Sequence, residues 1–152
     1  MHDQLFEQIK MDHNEVKKTL SQMLEAGSAK QRIDLRRQLE KLLIPHMRAE
    51  ESVFYPELKI HRESRSFTFE ALEEHHVTEL VFDELMKLRP ENENWTAKVN
   101  VLQTLLVHHI QDEEEQAFKM TRDLIPENKT DDMLADFAEE KIWYTSRITG
   151  EL

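Results

Sequence analysis

The chain has 152 residues, 39% of them apolar, enough for one domain with its own core and too few for two comfortable ones. Its 20 Lys and Arg against 31 Asp and Glu leave a net charge of -11, which argues against nucleic acid or an anionic membrane surface as the main partner. There is no cysteine, so disulfides, thiolate-bound zinc and iron–sulfur clusters are excluded, and any metal must be held by nitrogen and oxygen.

With two glycines, four prolines and no alternating β-branched runs, the whole chain reads as helix. The first segment, about His2 to Ala26, puts Phe6, Ile9, Val16, Leu20 and Met23 on one stripe and stops at Gly27. Its opening residues carry charge throughout and lack the apolar stretch of a secretory signal. No run approaches the roughly 20 apolar residues of a membrane span, so a cytoplasmic location is expected. Ser28 with Gln31 forms a capping-box signal that opens a second helix to about Leu58, where Pro45 is expected to bend the chain just before His46. The third segment runs from about Phe67 to Arg89 and stops against Pro90. The fourth starts near a capping Asn94, carries Trp95, Val99, Leu102, Leu105 and Leu106, and ends at Pro126. A fifth, shorter helix, about Thr130 to Ile148, starts with Thr130, Asp131 and Asp132 and is expected to pack outside the others. The expected fold is therefore all-α: an up-and-down antiparallel four-helix bundle over 1–126, with 127–152 supplying a C-terminal helix packed on it.

His13, His46, His75 and His109 each fall near the midpoint of one of the four long segments. The spacing repeats, 33 residues from His13 to His46 and 34 from His75 to His109, and Glu50 and Glu113 follow the second and fourth histidines by four residues. Positions i and i+4 share a helix face, so such a pair can chelate one ion or let its carboxylate reach a second. Brought to one level by a bundle, this set reads as a buried two-metal site suited to iron, manganese or zinc. Chance and solvated charged faces are the competing explanation, since four His-x-x-x-acid pairs occur and one or two would arise at random. The apolar stripes around these pairs tell against that, because an unpaired glutamate is costly to bury. Two doublets leave a choice. Phe82 and Leu85 favour His75 as the inward residue whereas Phe69 and Leu72 favour His76, and we take His75; the stripe Leu102, Leu105, Leu106 selects His109 over His108. Glu51, Glu114 and Glu115 are expected to face solvent or orient a ligating imidazole, His2 and His61 to be solvated, Tyr55 to serve packing ahead of donating a hydrogen bond near the site, and Trp95, Trp143 and the seven methionines to serve packing.

Asp12-His13, PHMRAEESVFYPEL, EEHHVTELVFDEL and VHHIQDEEEQAFKM together resemble the hemerythrin-like, or HHE cation-binding, domains over about residues 5 to 126. The resemblance implies a non-haem centre of two iron ions with an oxo or hydroxo bridge, Glu50 and Glu113 bridging, and His13, His46, His75 and His109 as terminal ligands. The oxygen-carrying members have a further histidine one turn beyond the third-helix ligand, and Glu79 stands there. Glu79 is accordingly expected to ligate, or to hydrogen-bond a bound water or peroxide, and to favour peroxide turnover over reversible oxygen storage. The expected function is a diiron protein that binds or reacts with dioxygen, peroxide or nitric oxide in an oxygen or stress response. A diiron oxidase or peroxidase and an iron-storage or structural module are the alternatives.

Overall fold

The structure, a computed structural model, describes residues 2–150 and is built from helix, with no strand among the described residues. Helix α1 spans His2–Glu25, α2 Ala29–Ala49, α3 Tyr55–Lys59, α4 Arg62–Lys87, α5 Trp95–Asp112, α6 Phe118–Leu124 and α7 Glu127–Thr149. Two wider π-helical turns, Glu50–Phe54 and Glu113–Ala117, join α2 to α3 and α5 to α6 without a break, so each pair is one long rod. Four rods (α1, α2–α3, α4 and α5–α6) alternate in direction through short connections and pack as a bundle, while α7 lies along α1 and α2.

Local chemistry explains the boundaries. The Ser28 hydroxyl accepts from the Gln31 amide at 3.2 Å, and the Gln31 side chain returns a bond to the Gly27 amide at 2.8 Å, closing the α1–α2 turn from both sides. Helix α2 runs on through Pro45, and the irregularity falls after His46, at the π turn. Helix α4 starts five residues before the expected Phe67. The Ser64 hydroxyl and the Arg65 guanidinium donate to the Leu58 and Lys59 carbonyls at the end of α3, so the two helices need almost no linker. At the far end of α4, Arg36 donates to the Leu85 and Leu88 carbonyls and Arg32 to that of Pro90, while both guanidinium groups lie over Trp95. Asn94 makes no side-chain cap; the Asn92 side chain instead accepts from the Asn94 amide. Helix α7 starts directly after Pro126, and Thr130, expected at its first turn as a cap, is buried and donates to the Glu127 carbonyl.

The apolar core is divided in two. One cluster, with Leu5, Ile9, Phe54, Leu58, Phe118 and Phe137, fills the end nearest α3, α6 and α7. The other, with Leu20, Met23, Leu43, Phe82, Trp95 and Leu102, fills the opposite end. Between them lies a layer of buried polar side chains from all four rods. Trp143, expected to pack inside, is instead 48% exposed on the outer face of α7 under the Arg147 guanidinium. His2 is half-buried rather than solvated, because its ring bonds the Ile125 carbonyl.

Candidate metal centre

The polar layer holds His13, His46, His75 and His109, each 2–4% exposed, with Glu50 and Glu113 fully buried. His76 and His108 point outward. The six inward residues form two groups of four, His13/His46/Glu50/Glu113 and His75/His109/Glu50/Glu113, in each of which the donor atoms lie within 4.8 Å of one another. Both glutamates belong to both groups. Glu50 places one oxygen 3.3 Å from His46 Nε2 and the other 3.2 Å from His75 Nε2; Glu113 does the same with His13 at 3.2 Å and His109 at 3.3 Å. Each carboxylate thus spans from one histidine pair to the other.

Every imidazole is held from behind. A carboxylate only accepts, so each Nδ1 carries the proton and donates: His13 to Glu114 at 2.7 Å, and His46 to Asp12, His75 to Glu51 and His109 to Glu74, each at 2.8 Å. That tautomer leaves every Nε2 directed into the centre, the arrangement by which outer carboxylates orient metal-binding histidines and raise their basicity. The four carboxylates flank the inner residues in sequence: Asp12 and Glu74 precede a histidine, and Glu51 and Glu114 follow a glutamate. Each holds a histidine on another rod, so the bonds run α1 to α2, α2 to α4, α4 to α5 and α5 back to α1. Glu115 is exposed and takes no part.

The donor set fits a cation. His13 Nε2, His46 Nε2, both oxygens of Glu50 and Glu113 Oε1 are buried without a hydrogen-bond partner, a costly arrangement unless something positive satisfies them. Protons and cations compete for the same seats. Burial alone would lower His46, but Glu50 and Asp12 push it up to about 10; His109 is likewise pushed up to about 10 against its burial by Glu113 and Glu74. Burial would raise Glu113, and the neighbouring Glu50, His109 and His13 groups outweigh it and hold its carboxyl well below the ordinary range.

Two side chains differ from expectation. Glu79 does not enter the centre: its carboxylate is taken by the Arg48 guanidinium, which also binds Glu51, the partner of His75. The i+4 relation to His75 holds, but a cation from the neighbouring rod claims the carboxylate first. With Arg48 on its carboxylate, Glu79 lends no support to the expected preference for peroxide turnover. Tyr55, expected to serve packing, is instead in the centre. Its hydroxyl lies 3.1 Å from His109 Nε2 and donates to Glu113, and burial followed by the Glu113 and Glu50 charges raises the phenol well above its usual value, so it stays protonated. On the other side of the layer a cavity of about 10 Å³ touches all four histidines and is closed by Val16, Leu43, Met47, Leu106 and Ile110. That is the lower limit of room for a single water.

Residues 4–121 match the hemerythrin HHE cation binding domain, and the chain belongs to that family. Among curated proteins it is 24% identical over 148 residues to a DNA nickase of Nostoc sp. (strain PCC 7120 / SAG 25.82 / UTEX 2576), an alignment covering 94% of this chain and 40% of the relative. The chain therefore spans well under half of that protein's length. No solved structure matches it. None of the described helices is long and apolar enough to cross a membrane.

Proposed function

We propose that the chain is a non-haem diiron protein that binds or reacts with a small molecule (dioxygen, peroxide or nitric oxide) in a cytoplasmic oxygen or stress response. The observation that carries this is the pair of four-donor groups sharing Glu50 and Glu113. Imidazole and carboxylate donors without thiolate suit iron among the redox metals, and two shared carboxylates favour a dinuclear centre. Iron, when bound, would supply the electrons exchanged with the small molecule.

The protein's own part is positional. Glu50 and Glu113 would each serve both cations, two imidazoles would complete each position (His13 with His46, His75 with His109), and the outer carboxylates keep the rings aligned. Tyr55 donates its hydroxyl proton to Glu113 beside His109 and so holds that carboxylate in place. The apolar lining by Val16, Leu43, Met47, Leu106 and Ile110 leaves a cavity of only about 10 Å³ beside the histidines, which disfavours an organic substrate. A chain of net charge -11 is not proposed to share the activity named for the Nostoc relative, nor to act on a membrane.

The test is metal analysis of protein purified anaerobically after growth with iron, with optical spectra before and after air. About two iron atoms per chain and an absorption change on oxygenation are expected. A folded protein that holds one zinc tightly and refuses iron defeats the proposal.

A further inference from the structure

One outer carboxylate is held from outside the bundle. Asp12 lies between two partners: its Oδ2 accepts from His46 Nδ1 at 2.8 Å, and its Oδ1 accepts from the Lys141 ammonium of α7 at 2.6 Å. Gln8 adds a longer bond to Oδ1 at 3.3 Å. The pair is sheltered, with Asp12 12% and Lys141 24% exposed, which puts it above the marginal worth of a surface salt bridge. One turn earlier on α7, Phe137 is fully buried and presents its ring edge-on to His46, centroids 5.8 Å apart. Helix α7 therefore meets His46 twice, once directly and once through Asp12. The other outer carboxylates take their further partners from the bundle itself: Glu51 from Arg48, Glu74 from His108 at 3.4 Å, and Glu114 from the charges of Lys10 and Lys17.

We propose that Lys141 is a positioning residue for the His13/His46 half of the metal centre, so that docking of α7 and cation binding at that half strengthen each other. The physical route is short. Lys141 fixes one oxygen of Asp12 and thereby aims the other at His46 Nδ1, which fixes the ring that offers Nε2 to the cation. Without Lys141 the carboxylate is free to turn toward water, and His46 loses its alignment. Coupling of this kind is reciprocal: whatever α7 contributes to the cation, the cation returns to α7. Among the described residues the His75/His109 half makes no such ion pair or ring contact with α7, so the effect is confined to one of the two positions. This inference rests on the dinuclear reading above.

The test uses the full chain titrated with Co²⁺, whose visible absorption reports coordination, together with hydrogen exchange of the α7 amides. The unmodified protein is expected to bind two Co²⁺ and to slow exchange in α7 as the His13/His46 position fills. Lys141→Met should weaken one of the two positions about tenfold, the lower end for losing an outer partner of a metal ligand, and blunt the α7 response; Lys141→Arg should restore both. Asp12→Asn, which keeps the size of the side chain, should abolish the α7 response even where Lys141→Met folds poorly. Equal weakening of both positions, an unchanged titration, or an α7 response that survives Asp12→Asn overturns the inference and leaves the dinuclear reading standing. An unmodified chain that fails to bind two Co²⁺ sinks that reading itself.

Discussion

The two halves of the bundle, α1 to α3 and α4 to α6, are variations on one plan. Each supplies an acid-histidine pair (Asp12-His13, Glu74-His75), a His-x-x-x-Glu-acid run (His46 to Glu51, His109 to Glu114) and a π turn that starts at the inner glutamate. What they share builds the donor set; where they part makes its two positions unequal. Five residues after Glu50 stands Tyr55, with its hydroxyl in the centre, and five after Glu113 stands Phe118, stacked on Phe6 at 4.2 Å. Asp12 is gripped by Lys141, whereas its counterpart Glu74 faces the exposed His108. The halves thus agree on binding and differ on what surrounds the bound ion.

Removing the shared element should have the largest effect. Glu50→Ala or Glu113→Ala strips a donor from both positions at once and is expected to cut metal content from about two per chain to well under one, read by elemental analysis. Glu51→Ala should cost far less, about tenfold in affinity, because Glu51 reaches the centre only through the ring of His75. An equal loss would mean that the wrong glutamate has been placed inside.

Single-histidine variants separate the halves. His13→Ala and His46→Ala should empty one position, and His75→Ala and His109→Ala the other, each leaving about one metal per chain. His76→Ala and His108→Ala should leave both filled within the error of metal analysis. Depletion by His76→Ala would shift the third-rod ligand by one residue.

Acid–base coupling gives an intermediate effect. With His46 and His109 pushed up to about 10, both rings hold protons at pH 7 that a cation must displace. Metal uptake should release protons, and affinity should climb as pH rises from 7 toward 10; titration calorimetry in buffers of different ionisation enthalpy reads this directly. For the cation-free chain the sign is opposite. Folded values above the unfolded one mean that these imidazoles stabilise the fold fully below about pH 6.5 and lose that contribution as pH passes about 10. Thermal denaturation should therefore show the loaded protein gaining on the metal-free one as pH rises.

Making the halves more alike is a gentler change. Tyr55→Phe should keep both metals but weaken the His75/His109 position about fivefold in a metal titration, the worth of one hydrogen bond to Glu113 at roughly 1 kcal/mol. An unchanged affinity at that position would reduce Tyr55 to a packing role. Smallest of all, Glu79→Gln should change metal content and nitric oxide affinity by less than about twofold, because Arg48 already neutralises that carboxylate and it touches no inner donor.

The six inner residues were legible because helix period and apolar stripes report which face is buried, and that face carries the donors. The same logic had to leave out partners chosen by tertiary structure. Glu79 satisfies the i+4 rule from His75, but its fate is set by Arg48, which the spacing along α4 knows nothing of. Tyr55 was hidden for another reason. On a regular α-helix, five residues turn about 500°, which puts position i+5 roughly 140° away from i. The wider turn, in which the Tyr55 amide bonds the Glu50 carbonyl, brings Tyr55 back over Glu50. A sequence read at 3.6 residues per turn therefore ranks packing ahead of the hydrogen bond that Tyr55 makes. The boundary of α4 was missed likewise, because Ser64 and Arg65 cap a neighbouring helix instead of marking a loop.

The π turn after Glu50 also amounts to one surplus residue in an otherwise regular rod, and that has an evolutionary reading. Deleting Ser52 would let the segment relax to ordinary α-helix, in which Tyr55 would stand four residues after Glu50 instead of five; four residues turn about 400°, so its ring would still lie over Glu50. His46, Glu50 and Tyr55 would all keep their seats. The wide turn can therefore absorb the gain or loss of a single codon between the inner glutamate and the phenol without moving either.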